Sequence, residues 1–398
     1  MTAAASPATL AVRASLESDS QHGAVVPPLH LSSNYTFESF GVKRRYDYTR
    51  SGNPTRDALA DAICSLEGGA GAAVTASGMA ALTLLTHLLD PGDLLVAPHD
   101  CYGGTYRLFE HLAAKGHFRV SFVDQTDPAA LQAAFARGPR MILVETPSNP
   151  LLRIVDIAAV SALARAHGTL LAVDNTFLSP ILQQPIRLGA DIVLHSTTKY
   201  LNGHSDVVGG AIVCATGDIA DSLAWWANCL GITGAPFDSY LTLRGIRTLH
   251  ARMRQHEESA NRVAAFLNAH PVVSRVYYPG LADHPGHRIA KSQQSGFGGM
   301  VSVEISGGEG AVAAFVERLQ HFSLAESLGG VESLVCHPAT MTHAAVNRDA
   351  LQQAGIGDNL IRLSIGLEDT DDLLQDLQQA LDASSHAVTL KSVIAASC

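Results

Sequence analysis

The stretch LLAVDNTFLSPILQQPIRLGADIVLHSTTKY, residues 170–200, decides the fold. It contains two short runs rich in Val, Leu and Ile, LLAVD (170–174) and DIVLH (191–195), each closing on a polar residue. Unbroken apolar runs of that length, bounded by turn residues, read as strands buried on both faces. The same pattern recurs upstream in LLVAP (94–98), RVSFVD (119–124) and MILVE (141–145). Between most of these runs lie segments such as ALQAAFARG (130–138) and IAAVSALARAHG (157–168), with helical apolar spacing and a terminal glycine. Strands alternating with helices imply an α/β fold: a mostly parallel central sheet with helices on both faces. Ligands of such sheets bind beyond the carboxyl ends of the strands, so Asp174, Ser196, Thr198 and Lys199 stand where chemistry is expected.

Outward from this core the pattern changes. Residues 1–58 hold few periodic apolar segments and include the basic, aromatic stretch KRRYDYTRSGNPTR (43–56), which reads as an extended arm ordered by packing on something else. Residues 59–250 form the alternating large domain. From RMRQHEESANRVAAFLNA (252–269) onward, residues 251–383 have strands of their own, MVSVEI (300–305) and LIRLSIG (360–366), and read as a smaller C-terminal α+β domain. Residues 384–398 form a tail with no assignable role.

Composition narrows the function. With 398 residues, two or three domains are expected, and 47% hydrophobic against 16% charged residues argues for well-buried globular units. A formal net charge of −10 is a poor match for nucleic acid or an anionic membrane, so neither is expected as a partner. No apolar run approaches the ~20 residues of a membrane span. MTAAASPATL lacks a basic region followed by an apolar core, so it is not read as a signal peptide, and a cytoplasmic location is expected. The six cysteines form no CxxC pair and read as reduced thiols. The 18 histidines show no HExxH or other ligand spacing, so no metal is expected.

Asp174 and Lys199 are charges at the ends of apolar strands, and both need partners. They could simply pair with each other or cap helices. The alternative is a pyridoxal-phosphate site, which needs a lysine for a Schiff base, an acid beside the pyridine nitrogen and a phosphate cradle. TASGMAALTLLTHLL (75–89) offers a cradle, because Ser77 and Gly78 precede an apolar helix whose first N–H groups would face an anion. Ordinary N-capping by Ser77 is the plainer reading. The GGAGAAVTASG stretch (68–78) lacks GxGxxG spacing, which weakens a dinucleotide alternative. Tyr102 follows LLVAP and could stack on a flat ring or serve packing alone. Asn149, in ETPSNP (145–150), could bind a ring substituent or make a turn. Arg362, inside an apolar strand, needs either a substrate carboxylate or a protein acid. Tyr48 and Arg50 in the arm could reach a phosphate in a neighbouring subunit.

The segments YDYTRSGNPTRDALADAICSLEGG, SGMAA, APHDCYGGTYRLF, ETPSNPLLRIVDI, VDNTFLSP, HSTTKYLNGHSDVVGG, ESLGGVESL, HPATMTH and RLSIGLED together resemble the Cys/Met-metabolism family of fold-type I, aspartate aminotransferase-like, PLP-dependent enzymes. The likeness runs from about residue 9 to about residue 383, nearly the whole chain. It implies Lys199 as the Schiff-base lysine and proton shuttle, Asp174 at the pyridine nitrogen, and Tyr102 stacked on the ring with a catalytic part. It places Gly78, Met79, Ser196 and Thr198 at the phosphate, joined by Tyr48 and Arg50 of an adjacent subunit. Asn149, Ser327 and Arg362 would hold the substrate's amino-acid end, with Glu326 and Arg107 near its distal part. The implied reaction is γ-replacement, converting O-succinyl-L-homoserine and L-cysteine to L-cystathionine and succinate in methionine biosynthesis. The alternatives are an acetyl ester, or γ-elimination of cystathionine to cysteine, 2-oxobutyrate and ammonia. Glu326 resembles the glutamate of γ-synthases and γ-lyases rather than the tyrosine usual in β-lyases. Gly104 differs from the cysteine of methionine γ-lyases. A homotetramer built from dimers with shared active sites is implied as well.

Overall fold

The computed structural model describes residues 5–344 and 348–396. Its larger sheet comprises β1 (Gly71–Thr75), β2 (Leu94–Pro98), β3 (Arg119–Val123), β4 (Met141–Glu145), β5 (Leu170–Asp174), β6 (Ile192–His195) and β7 (Gly210–Cys214), in the spatial order β1-β7-β6-β5-β4-β2-β3. All neighbours pair in parallel except β7, which runs antiparallel to both β6 and β1. Five of these strands coincide with the apolar runs read from the sequence. β1 (GAAVT) and β7 (GAIVC) do not, because their Gly- and Ala-rich runs lack the bulk that marks a buried strand.

Alternate residues face opposite layers. Val96, Ile142, Val144, Leu171, Val173 and Val193 pack into one core, whereas Leu95, Leu143, Ala172, Ile192 and Leu194 pack into another. Burial on both faces is why these strands read as continuous apolar runs. The helix Ile157–His167 ends, as its sequence pattern predicts, on Gly168 in the left-handed conformation (φ 65°).

The smaller sheet contains β8 (Val273–Tyr277), β9 (Met300–Ile305), β10 (Phe322–Leu324), β11 (Ser333–Cys336) and β12 (Leu360–Ser364), ordered β10-β11-β12-β9-β8. It is antiparallel apart from the β10–β11 pair and has its own apolar core with the helices Leu249–Asn268 and Thr370–Ala396. The sequence boundaries at 58/59, 250/251 and 383/384 fall inside the helices Pro54–Glu67, Leu249–Asn268 and Thr370–Ala396. Pattern changes along the chain therefore lie within continuous helices rather than at linkers. Residues 384–396 continue the last helix, and 397–398 lie outside the described residues.

Among the described residues before the helix Pro54–Glu67 there is one short helix, Pro7–Arg13, and isolated bridges such as Asn34 with Tyr48. This segment leaves Leu31, Phe37, Phe40 and Tyr48 exposed, Phe40 fully so. Among the described residues no helix is long and apolar enough to cross a membrane.

Candidate active site

The carboxyl ends of β4, β5 and β6 open into a cavity of about 380 Å3, closed on the far side by residues 326–328 and by Arg362 of β12. Its walls include Gly78, Met79, Tyr102, Asn149, Asp174, Ser196, Thr198, Lys199, Glu326, Ser327 and Arg362. Three expected site residues are elsewhere. Arg107 is exposed on the helix Gly103–Ala114. Arg50 lies over the Tyr48 ring, 5.7 Å from its centroid, and donates to the Asn228 carbonyl at 2.9 Å.

Lys199 stands in the turn after β6 and donates from Nζ to Ser327 Oγ at 2.8 Å. Burial, then the nearby Arg362 charge, pull its pKa down to about 8 against the opposing pull of Glu326. Asp174 and Lys199 form no ion pair, which removes the plain reading of that couple. Asp174 instead accepts the Thr176 N–H at 2.9 Å. Burial raises its pKa, while the Thr176 bonds and then His195 draw it back.

Arg362 is 2% exposed, yet no carboxylate lies within 4 Å of it among the described residues. Its Nη1 donates to Asn149 Oδ1 at 2.8 Å and its Nη2 to the Ser327 carbonyl at 2.9 Å, while Nε has no partner. A buried guanidinium held only by neutral oxygens is half of a charge pair. Ser327 bridges both cations of the site, and it does so at φ 85°, in a region costly for a side chain other than glycine.

Ser77 caps the helix Gly78–Thr86 through the Ala80 N–H at 3.0 Å, so the capping reading holds. Capping leaves the N–H groups of Gly78 and Met79 without intrahelical acceptors, next to Ser196. The fit is close, since a Cβ on Gly78 would stand 2.8 Å from Ser196 Cβ. The Thr198 hydroxyl accepts the Gly209 N–H at 3.0 Å, which fixes the turn that carries Lys199. Tyr102 lies at the mouth, 37% exposed, with its ring against Gly104, where a Cβ would meet Tyr102 Cε1 at 2.5 Å.

Glu145 carries a role the sequence reading passed over. It ends MILVE as Asp174 ends LLAVD, and the two are paired in register. Glu145 accepts the Tyr102 N–H at 3.1 Å and the Asn149 N–H at 2.9 Å, tying two residues of the cavity wall to one carboxylate. Burial, then Asp174, hold its pKa well above the usual range.

The Cys/Met metabolism PLP-dependent enzyme family matches residues 8–382. The chain belongs to that family. It is 55% identical to cystathionine gamma-synthase of Escherichia coli (strain K12) over 95% of this chain and 98% of that protein. It is 47% identical to cystathionine beta-lyase of Lactococcus lactis subsp. cremoris (strain MG1363), over 94% and 98%. The crystal structure of cystathionine gamma synthase from Xanthomonas oryzae pv. oryzae in complex with cystathionine superposes with a TM-score of 0.96 at 57% identity, covering 97% of this chain and all of that one. The cofactor of this family member is pyridoxal 5'-phosphate. The cavity fits that cofactor: a lysine of lowered pKa, a carboxylate at a strand end, an open helix N-terminus and a guanidinium lacking its anion converge there.

Proposed function

We propose that the chain catalyses γ-replacement on an acylated homoserine, joining O-succinyl-L-homoserine and L-cysteine to give L-cystathionine and succinate. The observation that carries the reading is the hydrogen-bonded chain Lys199–Ser327–Arg362, a proton-transferring amine and a carboxylate clamp held by one strained residue. The family relation supports it through the similarity to γ-synthases.

Pyridoxal phosphate, when bound, supplies the electron sink that makes carbon acids of the substrate's α- and β-positions. Lys199 would hold the cofactor, and its amine would move protons at those carbons. A base must be neutral to act, and an amine with a pKa of about 8 is neutral about 300-fold more often at pH 7 than one at the ordinary 10.5. Arg362 and Asn149 grip the α-carboxylate, with the Ser327 carbonyl fixing the fork. Asp174 would face the ring nitrogen, Tyr102 would stack on the ring, and Gly78, Met79, Ser196 and Thr198 would receive the phosphate. Glu326, beside Lys199, faces the distal amino group of the incoming or product amino acid, while Arg107 or Arg50 meets the succinyl carboxylate. Tyr48 and Arg50 complete the phosphate site of a second subunit in a homotetramer of dimers. This is supported by their absence from the lining of their own chain's cavity and by the exposed apolar arm around them.

Lyases stand among the similar proteins, with cystathionine gamma-lyase of Dictyostelium discoideum at 46% identity, so the assay must separate the two reactions. Product analysis with O-succinyl-homoserine, with and without cysteine, does so. Cystathionine formed from the ester and cysteine supports the synthase reading. Release of 2-oxobutyrate from cystathionine as the dominant reaction identifies a lyase instead.

A further inference from the structure

Behind Asp174 lies a polar cluster to which the reaction above gives no role. Glu67 ends the helix Pro54–Glu67 and His195 ends β6; they are 0% and 1% exposed. Glu67 Oε1 lies 2.7 Å from His195 Nε2 and also accepts the Asn175 side-chain amide at 2.8 Å. Asn175 directly follows Asp174 and is itself locked to Gln183 by bonds in both directions, 2.8 Å to its carbonyl and 3.0 Å from its amide. Glu67 Oε2 and His195 Nδ1 have no hydrogen-bond partner.

A carboxylate sealed from water is strongly unfavourable unless a cation accompanies it. Among the described residues the only basic side chain within 4 Å of Glu67 is His195. An imidazolium at His195 would neutralise Glu67 and set positive charge where His195 lines the cavity. Asp174 pairs across the sheet with Leu194, the residue before His195. Burial favours the protonated form of Asp174, which shares its strand end with Glu145. A protonated Asp174 could not hold a proton on the cofactor's ring nitrogen.

We infer that the buried Glu67–His195 pair backs Asp174 with positive charge, keeping that carboxylate ionised and the cofactor's ring nitrogen protonated. His195 is among the groups that pull the Asp174 pKa down, which agrees with this placement. Glu67 and His195 are positioning residues here, since they act through Asp174, and the inference rests on Asp174 facing the ring nitrogen.

The test is 15N NMR of holoenzyme reconstituted with PLP labelled at the ring nitrogen. The unmutated enzyme is expected to give a pyridinium signal. In Glu67→Gln and His195→Gln the signal moves toward unprotonated pyridine, and the dissociation constant for PLP, from titration of apoenzyme, rises about tenfold. Glu67→Asp keeps the anion and retains the pyridinium signal, which a purely structural strut would not require. If both glutamine variants stay pyridinium while Asp174→Asn loses the signal, the inference is overturned and the Asp174 assignment stands. If Asp174→Asn keeps the signal, the assignment beneath it has failed. Should the variants not fold, neutron diffraction of the unmutated holoenzyme decides: deuterium on both His195 ring nitrogens supports the pair, and a bare Nδ1 overturns it.

Discussion

Arg362 offers a perturbation whose size follows from the geometry. Arg362→Ala removes a buried fork whose hydrogen-bond partners among the described residues are the Asn149 amide oxygen and the Ser327 carbonyl. If its main energetic partner is the substrate carboxylate, as proposed, truncating one half of that buried hydrogen-bonded charge pair costs about 2–5 kcal/mol. At 1.4 kcal/mol per factor of ten, kcat/KM for the homoserine ester falls by about 30-fold at the least and about 4000-fold at the most. Arg362→Lys keeps the charge and loses the fork, so it is expected near the smaller value. A second readout separates charge from grip. Arg362 is one of the influences that depress Lys199, so its loss moves the Lys199 pKa upward from about 8. The rate at which apoenzyme captures PLP depends on the neutral amine, so its pH inflection near 8 shifts upward in Arg362→Ala and stays close to 8 in Arg362→Lys. Stopped-flow absorbance measures the capture, and steady-state kinetics the substrate effect. A kcat/KM in Arg362→Ala within threefold of the unmutated value, with an unmoved inflection, would refute both roles.

Lys199→Ala should abolish turnover while leaving the circular dichroism of the fold unchanged, and retained γ-replacement would sink the assignment. The depressed Lys199 pKa also has a stability sign. Unfolded chain holds this proton up to pH about 10.5 and folded apoenzyme only to about 8, so the group destabilises the fold below pH 8 and the penalty fades between 8 and 10.5. Apo Lys199→Met should therefore gain about 3 kcal/mol below pH 8 relative to its difference at pH 10.5, read by urea denaturation. Gly104→Ala places a methyl 2.5 Å from the Tyr102 ring and 2.9 Å from Met79 Sδ, so it should cost about 1–3 kcal/mol in PLP binding; an unchanged affinity would show that the ring is free to move. If arms complete neighbouring sites, mixing inactive Arg50→Ala and Lys199→Ala subunits should restore about a quarter of the unmutated activity by random pairing, whereas no recovery after verified subunit exchange argues against sharing.

The parallel strands were legible because burial on both faces leaves unbroken apolar runs, and LLAVD and DIVLH need no tertiary information to be read. β1 and β7 were not, since pairing of β7 against Ser77 and Thr75 selects Gly210: a Cβ there would stand 2.2 Å from the Ser77 carbonyl oxygen. That close approach depletes the bulky residues by which a strand is recognised. The same divide runs through the site. Asp174 and Lys199 were visible as charges at strand ends, yet Glu145 holds an equivalent position and was passed over. Only the fold shows that its carboxylate collects the Tyr102 and Asn149 N–H groups.

Ser327 shows why such roles escape a linear reading. Nothing in ESLGGVESL distinguishes this serine as a junction, and its importance comes from a left-handed backbone at φ 85° that turns its carbonyl to Arg362 while its hydroxyl meets Lys199. The two cations repel, and Arg362 accordingly lowers the Lys199 pKa. The bridge holds them close despite that repulsion, and the strain is a cost of keeping the two side chains in fixed relation. A bound carboxylate would neutralise the Arg362 charge, so substrate itself should relax the pressure on Lys199. It thereby raises the amine's affinity for a proton at the moment it must accept one. Clamp and base are then one electrostatic unit, and Ser327→Ala, which keeps the carbonyl but removes the hydroxyl, should lower kcat more than it raises KM. The reverse pattern in steady-state kinetics would show that the serine serves the clamp alone.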